Sequence, residues 1–349
     1  MALAIPVQPL RQQIPNPASR PDCAAPLTRG TLAAMPDSLR SIHVVAGVVT
    51  DPRGRILLTR RTETRDMPGL WEFPGGKREP GETSEQALVR ELNEELGIEA
   101  QVGDWVMDVP QLYPDKRLRL EVRHITSWKG SPRGREGQAM TWVAADKLAR
   151  YSMPPADVPV VGALRQPDRY LITPDPEDDA RWLESLELAL QNGITRIQLR
   201  ARQLAPARWQ ALLQQVMRLR GRARAQLLLN RDIALAADLG IGVHLGSEQL
   251  AGLQERPLPA EQLVAASCHG LDDLRHAQRI GCDFAVLGPV QATASHPGAT
   301  PIGWDGFETL REQVSLPIYA LGGMQVEDVR QARSHGAQGI AAIRALWPQ

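Results

Sequence analysis

Gly76-Lys77-Arg78-Glu79-Pro80-Gly81-Glu82, followed by Arg90-Glu91-Leu92-Asn93-Glu94-Glu95-Leu96-Gly97-Ile98, is the stretch that decides the first half of the chain. Thr83 and Gln86 have capping-box spacing, Ala87, Leu88 and Leu92 recur at helical period, and Gly97 stands as a C-terminal stop. This predicts a helix between Thr83 and Gly97. On it Glu91, Glu94 and Glu95 stand at i, i+3 and i+4 and share one face. Like charges so placed repel unless something offsets them. A divalent cation does so: Mg²⁺ takes oxygen ligands and bridges carboxylates to phosphate oxygens. Arg90 can hold a carboxylate such as Glu82 in place. The loop before this stretch, Phe73-Pro74-Gly75-Gly76, lets backbone approach a ligand closely.

Working outward, Ile42–Val49 reads as a strand, Asp51-Pro52-Arg53-Gly54 as a turn, and Arg55–Arg60 as the returning strand of a hairpin. Strands with polar turns run on to about Val143. A helical segment follows from Ala145 to Tyr151, then Pro154-Pro155 and a last helix ending near Leu164. Mixed strands with few helices predict an α+β sandwich over residues 41–166. Residues 1–40 lack sustained periodicity and are expected to be a disordered extension, with Met35 as an alternative start.

After Gln166-Pro167-Asp168 the rhythm changes to alternating strands and helices. The strands are Tyr170–Thr173, Ile194–Arg200, Gln226–Asn230, Gly242–Gly246, Leu263–Cys268, Phe284–Val290, Pro317–Gly322 and Gly339–Ile343. Eight β–α units predict a (β/α)8 TIM-type barrel over 167–349, with a doubly wound sheet as the alternative.

The 349 residues fit two domains at about 150 residues each. Lys+Arg and Asp+Glu are both 40. The resulting zero net charge argues against a nucleic-acid polymer or an anionic membrane as partner, but allows a small nucleotide ligand. No run approaches the ~20 apolar residues of a membrane span. Cys23, Cys268 and Cys282 show no metal-binding spacing, so a reduced, cytoplasmic protein is expected. The lysines are Lys77, Lys116, Lys129 and Lys147, so nothing after 147 can perform lysine chemistry.

The glutamate stretch matches the box of Nudix hydrolases at each defined position, and residues 42–164 are identified as resembling that family. They are most similar to its MutT branch, which hydrolyses oxidised guanine nucleoside triphosphates. Glu72-Phe73-Pro74-Gly75-Gly76-Lys77, Arg60-Arg61, Gly134-Arg135-Glu136-Gly137-Gln138 and Pro154-Pro155-Ala156 carry this likeness. The resemblance implies an α/β/α Nudix sandwich and Mg²⁺, with Mn²⁺ as its substitute, held by the Gly75 carbonyl, Glu91, Glu94, Glu95 and Glu136. It implies Glu91 as leading general base with Glu136 second. Arg61, Glu72, Phe73, Pro74, Gly75, Gly76 and the residue at 157 would bind substrate. The implied reaction is 8-oxo-dGTP to 8-oxo-dGMP plus pyrophosphate. Asp157 stands where the branch has a purine-reading asparagine, and Asp66 where it has a histidine. An ionised aspartate only accepts hydrogen bonds, whereas a protonated one also donates. A thiamine-pathway pyrophosphate is the alternative substrate.

In the second half, Ile197-Gln198-Leu199-Arg200, Val243-His244-Leu245-Gly246, Leu287-Gly288-Pro289-Val290 and Ala320-Leu321-Gly322-Gly323 fall at strand C-terminal ends, where barrel sites lie. Together they resemble thiamine phosphate synthase and its TenI-like relatives over residues 168–345. That resemblance implies a phosphorylated thiazole or thiamine-type ligand on Gln198, Arg200, Asn230, Ser295, Gly322 and Gly323, with His269 moving a proton. The synthase pattern is broken at Arg202, Arg231, Gln249 and His296, so its metal carboxylates are missing and synthase activity is not expected. A non-catalytic ligand-binding barrel is the remaining alternative.

Overall fold

The structure, a computed structural model, describes residues 39–223, 225–293, 298 and 300–348. The extension expected over residues 1–40 therefore lies outside the described residues, apart from Leu39 and Arg40. Arg40 opens the first strand.

The N-terminal half contains two sheets. Strands β1 (Arg40–Val49), β4 (Gly75–Lys77), β5 (Glu99–Leu112) and β6 (Lys116–Lys129) form one in the order β4-β1-β6-β5. Strands β2 (Arg55–Arg60), β3 (Trp71–Glu72) and β7 (Met140–Ala144) form the other, in the order β3-β2-β7. The expected β1–β2 hairpin is not formed. The two strands enter different sheets and share only the isolated bridge Thr50–Ile56, while β1 pairs in parallel with β6 over its whole length. Both strands are apolar on alternate and intervening positions, so each is buried on both faces and must divide its neighbours between two layers.

That division is visible residue by residue. Val45, Val49 and Leu57 pack with Ala87, Leu88, Leu92 and Leu96 of helix α1 (Ser84–Leu96). Ala46, Val48, Ile56 and Leu58 pack instead with Val160 and Val161 of α2 (Val158–Arg165). The helices thus cover opposite faces. The predicted capping box of α1 is present, with Thr83 accepting from the Gln86 amide and Gly97 closing the helix at φ 68°. Ala145–Arg150 is a 3₁₀ turn.

In the C-terminal half, β8 (Arg169–Ile172) to β15 (Gly339–Ala342) close into an eight-stranded parallel barrel. Closure excludes the doubly wound alternative. The intervening strands are β9 (Arg196–Leu199), β10 (Gln226–Asn230), β11 (Gly242–Leu245), β12 (Val264–Cys268), β13 (Phe284–Leu287) and β14 (Ile318–Leu321). Tyr170, Leu228, Phe284 and Tyr319 fill the interior, and a second apolar layer lies between strands and helices. The helices are α3 (Asp179–Gln191), α4 (Pro206–Ala223), α5 (Ile233–Asp238), α6 (Ser247–Gly252), α7 (Leu271–Arg279), α8 (Gly303–Arg311) and α9 (Val329–Ser334).

Residues 39–349 form one compact unit. The connector Gln166-Pro167-Asp168 is fixed: Gln338 donates to the Gln166 and Pro167 carbonyls at 3.0 and 3.2 Å, and buried Arg196 donates to Gln166 Oε1 at 2.8 Å. Strands β5 and β6 lie against α8 and α9, where the Leu112 amide and Gln111 Nε2 donate to the Glu312 carbonyl at 2.6 and 3.0 Å.

Candidate active site

Helix α1 sets three carboxylates against the Gly75–Gly76 strand. Gly75 pairs with Ala46 at φ 153°, and a Cβ there would lie 2.1 Å from the Val45 carbonyl oxygen. At Gly76 a Cβ would lie 2.2 Å from Glu91 Oε2, so only glycine leaves room for that carboxylate. Arg90 clamps the cluster. It donates to Glu82 through Nε and Nη2 at 2.8 and 3.0 Å, to Glu91 at 2.9 Å and to Glu94 at 3.3 Å. The Glu82 carboxyl is held down at about 2 by this guanidinium and by the Glu79 amide. Burial lifts Glu91 above the ordinary carboxylate range, against the pull of Arg90.

Glu95 is 3% exposed and accepts from the Gly75 amide at 3.3 Å. Burial raises it to about 7 even with Arg65 beside it. Glu136 is brought to it by helix-end chemistry. The last carbonyls of α1 lack intrahelical partners, and the loop after β6 supplies them. Arg133 N and Arg135 N donate to Leu96 O and Glu95 O at 3.0 and 2.9 Å, and Gln138 Nε2 donates to Glu95 O at 3.2 Å. Arg65 Nη2 then sits between the two acids, 2.6 Å from Glu95 Oε1 and 2.6 Å from Glu136 Oε2, with Nη1 3.6 Å from Glu72. Glu94 is the outlier, its side chain 57% exposed and held by Arg90 alone among the described residues.

Among the described residues no three His, Cys, Asp or Glu side chains converge tightly enough to hold a metal. The donor chemistry nonetheless fits a hard divalent cation: these are carboxylate oxygens in excess over the guanidiniums that neutralise them, and one of those guanidiniums already takes a cation's place between Glu95 and Glu136.

Beyond Gly75–Gly76 opens a cavity of about 350 Å³. Arg61, Glu72, Phe73, Asp157, Leu118 and Leu120 are among its walls. Arg61 donates to Glu72 at 2.6 Å, and Phe73 is 3% exposed and belongs to the core. Pro74 ties its carbonyl to the Gly47 amide at 2.9 Å. Asp157, at the start of α2, accepts from the Phe73 amide at 3.1 Å. Burial, with the Glu72 charge added, pushes its carboxyl up to about 8. Asp157 is therefore protonated at neutral pH and can donate as well as accept. At the opposite side Asp66 pairs with Lys116 at 2.5 Å. Sequence reasoning missed Arg65, Lys116 and Tyr113 as cavity residues. Arg65 and Tyr113 lie in loops with no periodicity and Lys116 opens β6, and only the sheet pairing brings them there.

The barrel carries a second cavity, of about 1180 Å³, at the C-terminal ends of its strands. Gln198, Arg200, Asn230, His269, Gly322 and Gly323 all line it; Ser295 lies outside the described residues. Gln198 donates to Asn230 Oδ1 at 2.8 Å. His269 Nδ1 is 3.0 Å from the Gly288 carbonyl, which only accepts, so the neutral ring carries its proton on Nδ1 and leaves Nε2 basic. Asp232, next to Arg231, is engaged as the N-cap of α5, its carboxylate accepting from the Leu235 amide.

An acid-bearing helix against a Gly-Gly strand beside a cavity is the arrangement of a pyrophosphohydrolase half, and the closed parallel barrel, with its cavity at the strand C-terminal ends, forms the other half. A NUDIX domain model matches residues 45–163 and a thiamine monophosphate synthase model matches residues 169–346; the chain belongs to both families, one in each half. CTP pyrophosphohydrolase of Escherichia coli is 41% identical over 125 residues, 36% of this chain and 92% of that protein. The 8-oxo-dGTP diphosphatase of Escherichia coli is 36% identical over 128 residues, 37% of this chain and 99% of that protein. Putative thiamine-phosphate synthase 2 of Aquifex aeolicus is 35% identical over 179 residues, 51% of this chain and 96% of that protein.

Proposed function

We propose that the N-terminal half hydrolyses a nucleoside triphosphate to the monophosphate and pyrophosphate, with 8-oxo-dGTP as substrate, and so cleanses the nucleotide pool. What supports this is the place of Asp157, buried in the cavity wall with its carboxyl pushed up to about 8 by burial; in its protonated form it offers the donor–acceptor pair that a purine edge needs. Mg²⁺ or Mn²⁺ bound by Glu91, Glu94, Glu95, Glu136 and the Gly75 carbonyl would neutralise developing charge and acidify a water. Glu91, held by Arg90 and lifted by burial, takes the proton from the attacking water, with Glu136 as second candidate. Arg61, on the cavity wall, would contact the nucleotide.

A second reading, CTP as substrate, is favoured by the 41% identity to a CTP pyrophosphohydrolase. A turnover panel of 8-oxo-dGTP, dGTP, CTP and thiamine diphosphate separates these, with products resolved as pyrophosphate or phosphate. Preference for 8-oxo-dGTP with pyrophosphate release is expected. Preference for CTP moves the substrate, and preference for thiamine diphosphate with phosphate release overturns the nucleotide reading.

For the barrel we propose a phosphorylated thiazole or thiamine-type ligand at Gln198, Arg200, Asn230, Gly322 and Gly323. His269 Nε2 would act as proton carrier, without synthase activity. Support comes from the His269 tautomer and from Asp232 being engaged in capping. An unchanged thiazole phosphate tautomerase rate in His269→Ala would remove the catalytic part.

A further inference from the structure

The two cavities differ in how their arginines are paired. In the hydrolase cavity Arg61 and Arg65 are each paired to carboxylates, and of its lining arginines only Arg40 has no ion pair among the described residues. In the barrel, Arg200, Arg202, Arg231 and Arg344 line one cavity, and among the described residues none of their guanidiniums has an ion-pair or hydrogen-bond acceptor. Among the described residues no Asp or Glu lines that cavity. The neighbouring stretch 294–297, Ala-Ser-His-Pro, adds none by sequence. Unneutralised like charges facing one space repel each other, and the strain is registered at Arg200. Burial, then Arg202 and Arg231, hold it below the ordinary arginine range, with Asp175 opposing.

Arg231 is placed deliberately. It is one of two non-glycine residues with positive φ among those described, at φ 68°. Such a conformation persists only where surroundings enforce it. Here the Arg231 amide donates to the His244 carbonyl at 2.8 Å, and Gln249 Nε2 donates to the Arg231 carbonyl at 2.8 Å. The side chain then lies over Gly246, where a Cβ would come within 2.8 Å of the guanidinium Nε. Across the cavity, Gly322 and Gly323 take φ 100° and 72°, and the Gly323 amide has no acceptor among the described residues. Oriented cations and a free amide at the rim of a barrel suit a phosphate. They do not suit a divalent cation, which needs carboxylates or carbonyls and is repelled by four guanidiniums.

We propose that this barrel binds the phosphate or diphosphate group of its ligand directly, without a divalent metal, with Arg231 as a principal anion contact. The inference deepens the barrel reading and is independent of the hydrolase reading. The metal requirement of the two halves then differs, the N-terminal site being carboxylate-rich and the barrel rim purely cationic.

The test is isothermal titration calorimetry of inorganic pyrophosphate into the full chain, in EDTA and in excess Mg²⁺. Binding in EDTA at least as tight as in Mg²⁺ is expected, because Mg²⁺ neutralises the anion. Arg231→Gly should weaken it about 10- to 100-fold, the loss of one charge-assisted contact. Glycine adopts φ 68° freely, so this variant keeps or raises the melting temperature. Gly246→Ala, which crowds the guanidinium, should also weaken binding, whereas Gly252→Ala, whose Cβ meets nothing within 4 Å, should not. Arg231-sensitive binding that requires Mg²⁺ overturns metal independence but keeps the barrel as an anion site. Binding lost in Arg61→Ala and kept in Arg231→Gly places the anion in the hydrolase cavity and overturns the proposal. No binding in either buffer overturns both the proposal and the phosphate reading of the barrel.

Discussion

Arg119 Nη2 of β6 lies 2.5 Å from Glu308 Oε1 of α8, so one ion pair joins the two halves of the chain. The same guanidinium reaches Asp108 at 3.1 Å and the Ser334 carbonyl at 3.2 Å, and Glu308 in turn contacts His335 at 2.8 Å. The preceding basic side chain of the strand, Arg117, faces Glu312 at 3.5 Å. Leu118 and Leu120 of that strand wall the cavity beside Gly75–Gly76. An isolated exposed pair contributes little, but a half-buried network contributes more. A double-mutant cycle on Arg119→Ala and Glu308→Ala should give a coupling energy of about 1 kcal/mol in denaturant melts. Additive single effects would mean the pair does not join the halves energetically.

Asp157→Asn should leave turnover near neutral pH almost unchanged, since the wild-type carboxyl, at about 8, is already protonated there. The sign follows from the raised value. The folded state holds a proton that the unfolded state releases near the ordinary value of 3.8, so Asp157 makes stability fall as pH rises from there to about 8. Wild type should therefore lose melting temperature relative to Asp157→Asn as pH rises toward about 8, with no further loss above it, while its substrate affinity falls as the carboxyl ionises near pH 8. Parallel pH profiles of KM and melting temperature for the two proteins check this, and identical profiles would show Asp157 ionised throughout.

Glu95→Gln removes the buried carboxylate shared by Arg65 and the Gly75 amide. Turnover should fall by about 10²-fold or more, the scale of losing one well-placed electrostatic group. The change is isosteric, so near-native circular dichroism is expected. Full activity in this variant would remove Glu95 from the machinery.

Gly76→Ala tests the placement of Glu91. The new methyl would lie 2.2 Å from Glu91 Oε2 and must displace it. We expect kcat to fall at least tenfold with KM little changed, because the base moves while the cavity walls stay. Gly252→Ala, whose Cβ meets nothing within 4 Å, is the control.

Leu92→Ala should cost about 2–5 kcal/mol in urea unfolding, since its side chain is fully buried between α1 and the sheet and leaves a cavity behind. A cost below 1 kcal/mol would show that α1 collapses onto the sheet instead.

Much of this protein was written locally. The capping residues of α1, the shared face of Glu91, Glu94 and Glu95, and the eight strands after Asp168 depend on near-neighbour spacing, and spacing is what a chain displays. The hairpin of β1 and β2 failed because two adjacent apolar strands look alike whether they pair with each other or with distant partners; the parallel pairing of β1 with β6 is a long-range choice set by which faces α1 and α2 cover. The same holds for the sites. The sequence by itself determined that carboxylates would cluster and that glycines would open a barrel rim. Tertiary structure alone decided that Arg65 bridges Glu95 to Glu136, that burial pushes the Asp157 carboxyl up to about 8, and that among the described residues no carboxylate faces Arg231 in its cavity. Charge state and pairing depend on desolvation and on residues far apart in the chain, and neither exists until the chain has folded.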